Sequence, residues 1–458
     1  MNPFRESIRE QFHSLHPFED PKWVASLGLK IPPIRSLPRS LEHEELGIST
    51  VAEPFQSVST LKKMLIDDEI LSLYKKTYSA PRVVLLTYVC WDGLGDYCGQ
   101  KNIFDYLQAE GIEVVRATFV HKEHSYEEGP EFLLPFMPGE EVEIPNALME
   151  KMRKAHLILQ FPNYYPFTAE LQKKVGKGPL WECLGESGFM NTLDFQPGTG
   201  RRCLGLHALE KGVFIPTLPS TIPPPSIEKP YYFAYTRTEK GFFNYLEALL
   251  ALKKEKIRVV TFNMPQVIAT LKKGMDGLRN VLIENNEIYV KQKMGTDGCD
   301  VTITVYPEVK QEVFVSLLAH AEPFVACTGD HSFFEALSLD KVIYYDALPH
   351  KKAFFEDLRF IAGYATPKAS LFFEDAKWIR DREVQEGLQT FYTYIKTHFR
   401  ANEKIIHLIN RSTMPHEVLK EEELLLHAFG EGKLQAAEVL ASLKRAISQQ
   451  GLRGEPSD

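Results

Sequence analysis

Five prolines, Pro216, Pro219, Pro223, Pro224 and Pro225, fall within the segment 215–226. Proline fixes φ and lacks an amide hydrogen, so this stretch is excluded from helix interiors and central strands and runs extended. A chain of 458 residues also exceeds one ordinary core. The sequence therefore predicts two bodies joined by a stiff linker at 215–229.

Both sides of the linker show the same alternation of short apolar runs and helical periodicities. Before it, continuous apolar runs at 82–90, 112–119 and 156–161 read as buried parallel strands, with helices expected at 97–110 and 146–155. After it, strands are expected at 231–235, 257–262 and 341–345, and helices at 242–254, 265–273 and 311–320. A hairpin is expected over 287–306, turning at Asp297 and Gly298. Strands alternating with helices imply parallel sheets with right-handed crossovers. The expected fold class is α/β, with two facing Rossmann-like domains, an acceptor-side one at 81–214 and a donor-binding one at 230–375. Residues 1–80 read as a helical arm broken by prolines, with helical spacing over 59–76. Residues 376–458 read as a helical extension.

Ligands of such sheets sit beyond the carboxyl ends of the strands. Two motifs occupy that position, one in each domain. In the second, an apolar strand runs into Thr328, Gly329, Asp330, His331 and Ser332 and then a helix carrying Glu335. Glycine permits a tight turn, Ser332 is expected to cap the helix, and the helix amides favour an anion such as a diphosphate. Glu335, one turn in, is placed to accept from sugar hydroxyls. Tyr235 and Arg237 end the first strand of that domain, where an arginine can clamp a phosphate; the alternative for Arg237 is an ordinary surface arginine. His331 is either a turn residue or a ligand contact. Lys351 and Lys352 open a later helix, as charges that neutralise a diphosphate or as solvated lysines.

In the first domain, Asp92-Gly-Leu-Gly-Asp96 joins a strand to a helix. Either carboxylate is a candidate general base. The alternative is that Asp96 caps the helix while Asp92 holds the turn. No His or Cys cluster has metal-ligand spacing, and the six cysteines form no Cys-x-x-Cys pair. The net charge of −8 supplies no basic excess for nucleic acid, so nucleic-acid partners are not expected. No apolar run reaches the length of a membrane span, and the N-terminus is not a secretory signal. The expected location is the cytoplasm, or export by a route that needs no signal.

These motifs resemble the GT-B glycosyltransferases, and among them the bacterial protein-arginine rhamnosyltransferases that modify elongation factor P. That family carries two aspartates four residues apart in its first loop, as Asp92 and Asp96 are. It also carries a Gly-acid-acid-Ser-Phe donor motif, which Gly329, Asp330, His331, Ser332 and Phe333 resemble with histidine in the second acid position. The resemblance implies a UDP-, GDP- or dTDP-linked sugar as donor, no other cofactor and no metal. It also implies a protein side chain among the acceptors, inversion at the sugar, and Asp92 or Asp96 on the base side. Two other readings fit the same fold: a nucleotide-sugar 2-epimerase-like enzyme, and a non-catalytic scaffold that binds a protein.

Overall fold

The structure, a computed structural model, describes residues 70–71, 81–89, 95–121, 131–136, 143–161, 168–176, 178–185, 200–203, 206, 212–262, 277–284, 289–307, 309–348, 351–430 and 432–451. Contacts divide the described residues into two units. Those within 70–89, 103–212 and 400–451 make the first, and those within 95–102 and 213–399 the second.

The first sheet is built from β1 (Arg82–Val89), helix α1 (Gly95–Ala109), β2 (Glu113–His121), β3 (Phe132–Phe136), α2 (Asn146–Lys154), β4 (Leu157–Gln160), α3 (Thr168–Val175), β5 (Leu180–Gly185) and β6 (Gly200–Cys203). Its six strands are ordered β3-β2-β1-β4-β5-β6, and every pairing is parallel. Alternate residues of β1 and β2 (Val84, Leu86 and Tyr88; Val115, Ala117 and Phe119) share one buried face, as period-2 side chains must. Tyr88 stacks on Phe119 with ring centres 4.7 Å apart. Helix α2 lays Leu148 and Met152, four residues apart, onto that face, and its last turn carries Lys151, Arg153 and Lys154, the sign its dipole favours. Strands β3, β5 and β6 are not expected from the sequence. Each is short, and Pro135 marks β3 as an edge, where a missing amide costs no ladder bond.

The second sheet comprises β7 (Tyr232–Ala234), α4 (Glu239–Ala251), β8 (Lys256–Phe262), β9 (Leu278–Glu284), β10 (Tyr289–Lys293), β11 (Cys299–Tyr306), α5 (Gln311–Ala319), β12 (Phe324–Cys327), α6 (Asp330–Ser338) and β13 (Val342–Tyr345). The strand order is β10-β9-β11-β8-β7-β12-β13, parallel throughout except β10. Its core is aromatic: Phe333 packs edge-on against Tyr345 and Phe354 at 5.5 and 5.1 Å. Each such ring, fully buried, contributes roughly 1.5–3 kcal/mol. The buried hydroxyls of Tyr245 and Tyr392 donate to the carbonyls of Phe324 (2.7 Å) and Ile343 (2.6 Å), so their burial leaves no unmet donor.

The hairpin expected over 287–306 does not form there. β10 pairs back on β9, and β11 lies between β9 and β8, parallel to both. An Asp-Gly pair signals a tight turn, but burial decides which strand is reached. β11 alternates buried and half-buried residues along its length, as an interior strand does, whereas β10 is exposed at every other position and takes the edge. The helix expected over 265–273 lies outside the described residues, as does nearly all of the arm.

Helices α7 (Lys352–Ala365) and α8 (Pro367–Glu374), a 3₁₀ turn (Ala376–Arg380) and α9 (Arg382–His398) continue the second unit. Asp381 caps α9 by accepting from the amides of Glu383 and Val384. Helices α10 (Asn402–Arg411), α11 (His416–Gly430) and α12 (Ala436–Gly451) belong to the first unit. Ile70, from the arm, packs there with Met414, Val418, Val439, Leu443 and Ile447.

Candidate functional site

In an open parallel sheet a crevice forms where neighbouring strands send their chains to opposite sides. In the second unit, β7 sends its chain on toward β8, while its other neighbour, β12, leads to β13. The reversal therefore lies between β7 and β12, which touch through Ala234 and Ala326. Tyr235, Thr236, Arg237 and Thr238 leave the end of β7 at this point, and Thr328 and Gly329 leave the end of β12. The first sheet reverses between β1 and β4, and β1 ends at Val89. Asp92 lies outside the described residues. Asp96 stands half-buried in the first turn of α1, where a carboxylate suits the helix dipole.

Gly329 has φ +75° and ψ 163°, a region that residues with a Cβ avoid, and α6 begins directly after it with no side-chain cap. The expected cap at Ser332 is not made. Its hydroxyl instead donates to the Thr328 carbonyl at 2.5 Å, because Ser332 lies inside the first turn, where its side chain reaches backward.

Asp330 opens α6 with 7% of its surface exposed and forms an ion pair with Lys351, itself 3% exposed. The Tyr345 hydroxyl lies 3.5 Å from the same carboxylate. Lys351 is thus committed to a protein carboxylate, while Lys352 is exposed. Glu335 is fully buried. Its Oε1 accepts from Gln311 Nε2 and lies 3.2 Å from His331 Nε2, and its Oε2 meets no hydrogen-bond donor among the described residues. Cys98, which groups with this unit, donates to Gln311 Oε1 at 3.6 Å. Burial on its own disfavours the His331 imidazolium, but the Glu335 charge and hydrogen bonds with Cys98 and Glu335 outweigh it and raise its pKa to about 10.

That shift carries a sign. A histidine raised in the folded state stabilises the fold fully below its unfolded value of about 6.5, and the contribution is lost as pH rises through about 10. Thermal melts between those pH values should therefore show wild type losing stability faster than His331→Gln.

Tyr235 is half-buried and its ring meets Phe262 and Phe314 edge-on at 5.6 and 5.1 Å, and Tyr306 lies 6.5 Å from Phe262. Arg237 is exposed. Its amide and that of Thr238 both donate to Asp346 Oδ2 at 2.9 Å. The expected second-unit residues thus gather around one strand reversal. Gln311, Phe262, Phe314 and Asp346 are not among the site residues expected from the sequence. The aromatic residues closing β8 and β11, at Phe262 and Tyr306, are a signal that could have pointed there; nothing local marks Gln311. Among the described residues, no cluster of three or more His, Cys, Asp or Glu side chains is placed to hold a metal ion, and no helix is long and apolar enough to cross a membrane.

No family model matches the sequence, and no curated protein matches it. Solved structures similar to this chain do exist. They include an alpha-glucosyltransferase in complex with UDP and a 13-mer DNA, at 11% identity and TM-score 0.37, covering 76% of this chain and 100% of that one. The glycotransferase of kitacinnamycin is similar at 12% identity and TM-score 0.41, covering 73% and 99%. A glycosyltransferase involved in avilamycin A biosynthesis is similar at 12% identity and TM-score 0.39, covering 73% and 98%. All three of these solved proteins are described as glycosyltransferases, and the two Rossmann-like sheets of this chain stand on their own strand order. One expectation is corrected. Nucleic acid was excluded on net charge, yet the first of these proteins is described with DNA, so the exclusion is withdrawn. Net charge averages over a whole chain, whereas binding depends on the local field of one surface.

Proposed function

We propose that this chain is a glycosyltransferase that moves a sugar from a nucleoside-diphosphate sugar to an acceptor nucleophile, a protein side chain being one acceptor class. The observation that carries the reading is the strand reversal between β7 and β12, with the uncapped start of α6 behind Gly329. Helix amides there suit a diphosphate. The half-buried rings of Tyr235, Phe262, Tyr306 and Phe314 suit a nucleobase beside it.

In the proposed reaction the acceptor attacks the anomeric carbon and the carbon–oxygen bond to the diphosphate breaks. The electron pair leaves on the diphosphate, whose charge the α6 amides and Arg237 receive. The acceptor proton passes to Asp92 or Asp96. Inversion, independence from metal and a cytoplasmic location rest on the sequence reading and its family resemblance.

Calorimetry with UDP, GDP and dTDP tests the donor site: one of the three should bind, and binding of none would sink the enzyme reading. Mass spectrometry of the donor then separates transfer from epimerisation, since an epimerase alters the sugar without any acceptor. Asp92→Asn or Asp96→Asn, whichever removes the base, should lower turnover by about 10²–10⁴-fold with donor binding intact.

A further inference from the structure

Two helices, α4 and α6, start at the strand reversal, and each N-terminus carries roughly half a positive charge. They differ in how the nearest carboxylate is held: at α6, Asp330 lies in the helix's own first turn and is paired with Lys351. The α4 N-terminus already holds an anion, the carboxylate of Asp346, which is 5% exposed. Oδ2 accepts from the amides of Arg237 and Thr238 at 2.9 Å, and Oδ1 accepts from the Thr238 hydroxyl at 2.8 Å. The same hydroxyl accepts from the Gly241 amide at 2.8 Å. The carboxylate fits only because residue 241 is glycine: a Cβ there would overlap it.

The backbone of Asp346 is tied as well. Its amide donates to the Cys327 carbonyl at 2.8 Å, and its carbonyl accepts from the Thr328 hydroxyl at 2.9 Å. One residue thus joins the turn after β7 to the turn after β12, the two segments that form the crevice. Its side chain holds the first and its main chain the second.

We propose that Asp346 is a positioning residue for the donor: it closes the α4 N-terminus to ligand anions and fixes the turn from which Arg237 extends, leaving the α6 N-terminus for the diphosphate. This rests on the nucleoside-diphosphate reading above. Asp346 touches no reacting atom and acts through the backbone of Arg237 and Thr238. The sign of its effect separates positioning from simple charge. A carboxylate beside a diphosphate site repels the ligand, so its removal should tighten binding if charge alone mattered. Removal of a positioning group should weaken it.

The test measures UDP, GDP and dTDP binding by calorimetry in wild type, Asp346→Asn and Asp346→Ala, with amide hydrogen exchange at Arg237 and Thr238. Both variants should bind the preferred nucleotide about tenfold or more weakly, as loss of charge-assisted hydrogen bonds implies. Both should also exchange the two amides faster, and added formate should restore binding in Asp346→Ala by re-entering the vacated place. Gly241→Ala, which displaces the carboxylate without removing its charge, should weaken binding in the same direction and guards against a folding defect in the charge variants. Equal or tighter binding by folded Asp346→Asn overturns the positioning role. The two readings fail separately: a wild type that binds no nucleotide removes the donor site, whereas unchanged exchange at Arg237 and Thr238 in Asp346→Ala removes the hold assigned to Asp346.

Discussion

Replacing Gly329 by valine should lower the stability of the fold by about 3 kcal/mol and abolish nucleotide binding together. The backbone there has φ +75° and ψ 163°, which a β-branched residue adopts only under strain. Among the described residues, chain neighbours aside, no atom lies within 4 Å of the place a Cβ would take, so the cost is backbone strain and not a clash. Relief of that strain rotates the turn and moves the first amides of α6 away from the crevice. Denaturant unfolding reads the first effect and calorimetry the second. A valine variant that kept both stability and binding would show that the α6 start is not the donor seat.

Lys351→Met should cost about 3–5 kcal/mol, because it leaves the Asp330 carboxylate buried without its counter-charge. Lys351 and Asp330 are 3% and 7% exposed, so water does little to screen either one. The double variant Asp330→Asn with Lys351→Met removes both charges at once and should recover most of the loss, since a neutral pair has no ion to solvate. Chemical denaturation of the two single variants and the double gives the coupling directly. Additive losses would mean that the two side chains do not depend on each other. Nucleotide binding in the double variant is informative as well. If it persists, Asp330 serves the shape of the turn and not the ligand.

The strands and helices of both sheets are legible in the sequence wherever an apolar run or a helical period is long. β1, β2, β8 and α4 lie where the pattern places them. What escapes is short or decided at a distance. β3, β5 and β6 are brief and include an edge strand with a proline, so their local signal is weak. The destination of β11 depends on which slot buries Val301, Ile303 and Val305, which neighbouring residues cannot state. Gly329, Asp330, His331, Ser332 and Glu335 stand out because a glycine turn into a helix is a local event. Which partners they meet is not local. Lys351 reaches Asp330 from 21 residues away, Gln311 reaches Glu335 from 24, and Asp346 reaches Thr328 from 18 and Arg237 from 109.

The amino-acid sequence by itself determined two α/β bodies, the proline segment between their sheets, and a glycine turn suited to an anion. Local φ restriction and hydrophobic periodicity are enough for that. The tertiary structure alone decided which charges at the turn are already satisfied. Asp330 is matched by Lys351, His331 is held charged by Glu335, and the α4 N-terminus is filled by Asp346. Charge pairing and burial depend on distances through space, and those exist only once β7, β12 and β13 lie side by side.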